Sequence, residues 1–85
     1  MKKKQEEILR NHIRDVFSRV LECSATDIDI NRSFSEQGGN SLKALQAIAL
    51  LQQSNSIQIS IPIFTRLSLV QLVRIILNKD SLVVF

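Results

Sequence analysis

The residues of this chain with the clearest potential for chemistry lie in one segment, Gly38-Gly39-Asn40-Ser41, which contains both glycines of the protein. Glycine tolerates backbone angles that other residues avoid and leaves room for another molecule to approach closely. Asn40 and Ser41 favour a helix start, and the periodicity after them predicts a helix that ends near Gln53. Because a helix start combines unpaired N–H groups with a positive dipole end, it favours an anion such as a phosphodiester. We therefore predict an accessible Ser41 hydroxyl that is suited to hold an anionic group.

Other catalytic or metal chemistry has little support in this sequence. The chain has one cysteine, Cys23, and one histidine, His12, which excludes an internal disulfide and a metal cluster built on these residue types. A general base needs a partner that orients it, and the sequence supplies none for His12, so we predict a surface histidine. Cys23 is predicted to be a small, half-buried residue and not a nucleophile. We predict no catalytic residue and no metal site.

The composition is that of a small helical domain. The 85 residues are 45% hydrophobic and 22% charged, and two glycines with one proline are too few for a turn-rich β fold. Lys2, Lys3 and Lys4 account for the net charge of +3, so residues 1–4 are predicted to form a solvated basic tail. The remaining arginines are scattered among acidic residues and form no nucleic-acid-binding stripe.

Neither a membrane span nor a secretory signal is predicted. No apolar run approaches the roughly 20 residues that a transmembrane helix needs. The basic start continues with polar and acidic residues, whereas a secretory signal would continue with an apolar segment. We therefore expect a cytoplasmic protein without a membrane partner.

Hydrophobic periodicity and helix-capping patterns predict the elements that must position Ser41. The last predicted helix begins with a capping box, Ser68 with Gln71 three residues later. The predicted elements are a helix from about Gln5 to Leu21, a loop from Cys23 to Asn40 anchored by Ile28, Ile30 and Phe34, a helix from Asn40–Ser41 to Gln53, an extended link from Ile57, a helical turn at Pro62–Arg66, and a helix from Ser68 to a stop at 78–80.

The second long helix is apolar on two faces. We assign one face to the core: Ala44, Ala47, Ile48 and Leu51. The other face consists of Leu42, Leu45 and Ala49. A helix that is apolar on two sides is either deeply buried or binds a partner, and deep burial on all sides is hard to arrange in so small a domain. We therefore predict that Leu42, Leu45 and Ala49 form a docking face.

The motif Gly38-Gly39-Asn40-Ser41-Leu42 resembles the attachment motif of acyl and peptidyl carrier proteins. The double glycine is most similar to that of the thiolation domains of nonribosomal peptide synthetases. Ser33-Phe34-Ser35-Glu36 upstream and Ile63–Leu69 downstream also resemble this family, so the similarity extends from about Asp27 to Val73. The sequence departs from the family pattern at Gln37, where an apolar residue is frequent, at Asn40, where His or Asp is commoner, and at Leu67, where proline is frequent.

The resemblance implies an all-α, right-handed four-helix bundle with a long first loop and a short third helix. The carrier domain would span residues 5–80, and residues 81–85 would form an apolar tail. Ser41 would carry 4′-phosphopantetheine through a phosphodiester, with Gly38, Gly39 and Asn40 as the attachment motif. The domain itself would catalyse nothing, would be a monomer, and would shuttle thioester-bound intermediates.

The implied partners are a phosphopantetheinyl transferase, an adenylating or acyl-loading enzyme, and condensation, tailoring or thioesterase domains. Carriers of fatty-acid synthesis are typically acidic along the second helix, and the helix after Ser41 contains no acidic residue. The sequence therefore favours nonribosomal peptide synthesis, a form of secondary metabolism, over fatty-acid synthesis.

Several alternatives stay open at this point. Ser41 could be a simple helix cap. Within the same class, the chain could carry polyketide or other acyl groups. From another class, it could be an unmodified helical interaction module, and an enzyme is the third option. Leu82, Val83, Val84 and Phe85 are expected to fold back on the bundle, but they could also contact another chain or lead into a linker.

Overall fold

The computed structural model describes residues 2–55 and 59–83 of the chain. In these residues the protein is an all-α bundle of four helices without a β-strand, and the predicted long first loop and short third helix are confirmed. The loop contains two short 3₁₀ turns, at Ala25–Asp27 and Ser35–Gln37. The helices are α1 (Lys2–Leu21), α2 (Ser41–Asn55), α3 (Ile61–Arg66) and α4 (Leu69–Val83).

Helix α1 supplies the central apolar stripe of the bundle and packs against α2 and α4, while α3 packs against α2. Ile13, Val16, Phe17 and Val20 are buried, and Leu9, at the same helical spacing, packs partly buried against the core. Their spacing of three and four residues places them on one side of the helix. This single apolar side is enough for α1 to pack against both α2 and α4.

Three phenylalanines join separate parts of the chain at the centre of the core. Phe17 on α1, Phe34 in the loop and Phe64 on α3 are each fully buried. Their ring centroids lie 5.0–5.5 Å apart in edge-to-face or tilted arrangements, which aromatic pairs prefer. The cluster thus fixes the loop against two helices.

Helix α2 has the two faces that the sequence predicted. Ala44, Ala47, Ile48 and Leu51 are buried, and the first two are alanines that allow close helix packing. Leu42 and Leu45 keep 65% and 52% of their surface exposed, and Ala49 is exposed as well. The core assignment is confirmed, and the second face lies at the surface.

Gln37 holds the long loop together, at a position where the family often has an apolar residue. Its side-chain oxygen accepts a hydrogen bond from the backbone N–H of Asp29 at 2.8 Å. Its side-chain nitrogen donates to the carbonyl oxygens of Asp29 at 2.8 Å and of Arg32 at 3.0 Å. These bonds connect backbone groups eight and five residues away, so an amide takes the place of apolar packing in this loop.

The loop is also tied to the start of α4. The N–H of Phe34 donates to the carbonyl of Leu67 at 3.2 Å, and the N–H of Val70 donates to the carbonyl of Ile30 at 3.2 Å. The N–H of Leu67 in turn donates to the carbonyl of Ile63 in α3, which ends the helix. A proline, frequent in the family at this position, could not make that last bond. The predicted anchors Ile28 and Phe34 are buried, and Ile30 packs partly buried against the core.

The capping box that begins α4 is confirmed. The N–H of Ser68 donates to the side-chain oxygen of Gln71 at 2.9 Å, and the N–H of Gln71 donates to the Ser68 hydroxyl at 3.3 Å. Each residue therefore satisfies a backbone donor of the other, which fixes where the helix begins.

The ends of two helices differ from the prediction. α1 begins at Lys2 and not at Gln5, because lysine is a good helix former and nothing before Gln5 interrupts the helix. α4 continues through the predicted stop at 78–80 to Val83, because Asn and Asp lower helix propensity only modestly, Lys favours a helix, and none of the three breaks a helix as proline does. The predicted fold-back of the side chains of residues 82–85, and most of the predicted link from Ile57, lie outside the described residues.

Among the described helices, none combines the length and apolar character needed to cross a membrane.

Substitution by aspartate on each face of α2 tests the assignment of one face to the core and the other to the surface. Ile48→Asp should lower the free energy of unfolding by about 4 kcal/mol, because it places an unpaired carboxylate in the core. Leu42→Asp should change it by less than about 0.5 kcal/mol, because the side chain is exposed near a helix start. Thermal and urea denaturation of both variants measures these changes. Equal destabilisation of the two would contradict the assignment of the faces.

Replacement of Gln37 tests its role in the loop. Gln37→Leu should lower the free energy of unfolding by about 1–2 kcal/mol, because backbone groups of Asp29 and Arg32 lose their partners. Gln52→Leu, at an exposed position of α2, is the matched control and should be nearly neutral. A Gln37→Leu variant as stable as its control in urea denaturation would show that the loop does not need the amide.

Candidate functional site

Ser41 is the first residue of α2, and its neighbour Asn40 caps the helix. The Asn40 side-chain oxygen accepts a hydrogen bond from the N–H of Lys43 at 2.8 Å, and the Asn40 carbonyl accepts the N–H of Ala44 at 2.8 Å. Ser41 is exposed, and its hydroxyl makes no hydrogen bond within the described part of the chain. Since Asn40 does the capping, the simple cap role considered for Ser41 is not the one the structure shows.

The two glycines shape the turn that leads into α2. Gly38 has a φ of 100°, in the left-handed region that favours glycine, and it ends the 3₁₀ turn at Ser35–Gln37. At Gly39, an added Cβ would lie 2.7 Å from the carbonyl oxygen of Phe34 and would also overlap its ring. The space that we expected Gly39 to leave for another molecule is therefore filled by Phe34 of the same chain. Only Gly38 faces open space.

Ser33 and Glu36 stabilise the 3₁₀ turn before the glycines. The N–H of Ser33 donates to the Glu36 carboxylate at 2.9 Å, and the N–H of Glu36 donates to the Ser33 hydroxyl at 3.2 Å. Hydrogen bonds from the backbone and then the side chain of Ser33, with a smaller effect of Arg32, lower the pKa of Glu36 below its usual 4.5. A carboxyl group whose pKa is lowered by folding stabilises the folded state at a pH above its unfolded-state pKa. This stabilisation is lost as the pH falls through the folded-state pKa. The ionised Glu36 carboxylate therefore contributes its stabilisation of the turn in full at neutral pH.

The start of α2 is equipped for an anionic group on Ser41. The backbone N–H groups of Ser41 and Leu42 have no hydrogen-bond partner in the described part of the chain. Such groups at a helix start attract negative charge. Lys43, the only charged residue of α2, adds a positive charge two positions later. These donors beside an exposed hydroxyl fit a phosphodiester.

Exposed apolar side chains occur on α2, which begins with the serine, and on the neighbouring α3. Leu42 follows the serine directly, and Leu45 lies one turn further along the exposed side of α2. On α3, which packs against α2, Ile63 is 47% exposed. The sequence analysis did not assign Ile63 to a docking face, because the alternation of four isoleucines from Ile57 to Ile63 gives no helical face to read.

An open groove of about 570 Å³ runs between the end of α1 and the first turns of α2. Arg19, Val20 and Glu22 line it from the α1 side, and Lys43 and Gln46 line it from α2. We call it the α1–α2 groove. The sequence analysis did not find it, because it joins residues that lie some twenty positions apart in the chain.

The remaining candidate residues take no part in this site. His12 is half-buried and not a surface residue as predicted, and it makes no hydrogen bond to Ser41 within the described residues. Cys23 is exposed and not half-buried, because Glu22 adopts a φ of 57° and ends α1 with a bond from the N–H of Cys23 to Ser18. No group of three or more metal-binding side chains occurs among the residues described.

Comparison with known proteins agrees with this geometry. The family model described as phosphopantetheine attachment site matches residues 11–76, most of the chain, and the match includes the loop, Ser41 and the first part of α4. No curated protein and no solved structure matches the chain significantly. Domains of this family carry covalently attached 4′-phosphopantetheine, are modified by phosphopantetheinyl transferases and interact with partner enzymes. On the match over residues 11–76, the chain belongs to the phosphopantetheine attachment family and is a carrier protein.

Proposed function

We propose that Ser41 is the attachment residue and that the chain shuttles aminoacyl, peptidyl or acyl thioesters between enzymes of nonribosomal peptide or hybrid polyketide synthesis. The observation that carries this proposal is the division of roles at the start of α2. Asn40 caps the helix, so the cap does not need the Ser41 hydroxyl, which is exposed and makes no hydrogen bond within the described residues. In this proposal the chain acts in the cytoplasm as a substrate of its partners and catalyses nothing.

For this attachment, the chain needs to supply only an accessible serine hydroxyl and groups that favour the negative charge of the phosphodiester. The Ser41 oxygen forms a bond to the phosphorus of coenzyme A that bears the pantetheine, loses its proton, and adenosine 3′,5′-bisphosphate leaves. The resulting phosphodiester carries one negative charge beside the N–H groups of Ser41 and Leu42, which have no hydrogen-bond partner among the residues that the structure describes. When bound, the group supplies a terminal thiol on a flexible arm, which raises the effective concentration of a tethered substrate near each partner.

Leu42, Leu45 and Ala49 are proposed as the docking face for these partners. All three are exposed on α2 and follow Ser41 along one side of the helix. Exposed apolar side chains grouped on one face commonly mark an interaction site. Since α2 has no acidic residue, the face fits partners that bind an apolar surface and not a row of carboxylates. This feature supports the peptide-synthetase assignment over the fatty-acid type.

The attachment residue is tested by intact-mass measurement after incubation with coenzyme A and a promiscuous phosphopantetheinyl transferase. The wild-type chain should gain one phosphopantetheine, and Ser41→Ala should gain none. Ser35→Ala, at an exposed serine of the same loop, is the matched control and should be modified normally. Ser41→Ala should melt like wild type, whereas Asn40→Ala should lose about 1 kcal/mol through loss of the cap.

Modification of the Ser41→Ala variant would show that another residue is the attachment site. A wild-type chain that gains no mass would instead favour an unmodified interaction module.

The docking face is tested by the rate of the same reaction. Leu42→Asp should lower kcat/KM of the transferase about tenfold, because a carboxylate replaces an apolar contact next to the reacting serine. Gln53→Asp introduces the same charge at an exposed position two turns beyond Leu45 and should react like wild type. Equal rates for the two variants would remove Leu42 from the docking face.

A further inference from the structure

The α1–α2 groove begins at the proposed attachment point. Besides Lys43 and Gln46, its walls include Asn40 and Leu42, the residues on either side of Ser41. From position 42 the groove continues along α2 as far as Leu50, a rise of about 12 Å. Its volume of about 570 Å³ is within the range of small-molecule binding sites, roughly 300–1,000 Å³. The groove therefore lies next to Ser41, although Ser41 itself does not line it.

The lining of the groove matches the chemistry of a phosphopantetheine arm. The arm consists of a phosphodiester, a branched apolar segment, two amides and a thiol. Lys43 lies at the serine end and makes no ion pair within the described residues, whereas Arg19 is paired with Asp15 at 3.1 Å. Gln46 offers an amide partner midway along the groove. The apolar part of the lining comes from Val20 on α1 and from Ala49 and Leu50 on α2.

We propose that the α1–α2 groove holds the 4′-phosphopantetheine arm of Ser41 while no partner enzyme is bound. This inference rests on the proposed function, because it requires that Ser41 is the attachment residue. Leu42 and Ala49 belong both to the groove and to the proposed docking face. A partner that contacts them displaces the arm, so docking and release of the arm are coupled.

The test compares two variants with the same charge change on the same helix. Gln46→Glu places a carboxylate inside the groove, where it repels the phosphodiester. Gln52→Glu places one on α2 at an exposed position that does not line the groove. Each chain is first loaded with coenzyme A and a promiscuous transferase until intact mass shows complete modification. Backbone amide NMR spectra of the unmodified and loaded forms are then compared.

The informative signals are those of Arg19 and Val20 on α1 and of Glu22 directly after it, which are remote from Ser41 in sequence. Loading should shift their amides in the wild-type chain and in Gln52→Glu, and Gln46→Glu should reduce these shifts at least about twofold. In a Cys23→Ser background, iodoacetamide should alkylate the arm thiol about twofold faster with Gln46→Glu than with Gln52→Glu, as expected if about half of the arms rest in the groove.

A loaded wild-type chain whose shifts are confined to residues 40–44 would overturn this proposal and leave the attachment at Ser41 intact. Equal α1 shifts in the two variants would overturn it as well. A wild-type chain that gains no mass would overturn both proposals, so the two failures are distinguishable.

Discussion

Burial of Phe34 is the constraint on which the site depends. Its ring contacts both Phe17 of α1 and Phe64 of α3, and its backbone bonds to Leu67 and Gly39 fix the chain on both sides. Because the ring occupies the space beside Gly39, no residue with a side chain fits there. The path from the core to α2 is thereby set within a few residues. The position of the serine at the helix start follows from the packing of an aromatic side chain seven residues earlier.

The start of α2 separates two tasks that one residue often performs. In many helices a serine both begins the helix and satisfies its first N–H groups. Here Asn40 satisfies Lys43, and Ser41 stands one position inside the helix with its hydroxyl in solvent. The helix therefore keeps its cap whatever is attached to Ser41. The family match over residues 11–76 contains this serine, and the local geometry leaves it exposed.

Much of the fold was predictable because it depends on short-range patterns. The buried stripes of α1 and α2 follow from spacing alone, and the capping box at Ser68 needs only a partner three residues away. Other features depend on tertiary contacts. The amide of Gln37 is useful only because the folded loop brings Asp29 and Arg32 to it, and the exposure of Cys23 depends on a left-handed Glu22. The accessible hydroxyl of Ser41 was predictable, but the α1–α2 groove was not, since its two walls meet only in the bundle.

The sparse charge of α2 has a consequence for how quickly this protein meets its partners. Lys43 is the only charged residue of that helix, so α2 itself offers little charge for the steering of a partner. Encounters without electrostatic steering proceed at about 10⁵–10⁶ M⁻¹s⁻¹, whereas strongly charged pairs reach rates a hundredfold or more higher at low salt. We therefore expect the concentration or the tethering of a partner to limit productive encounters through α2, and we expect ionic strength to change their rate little.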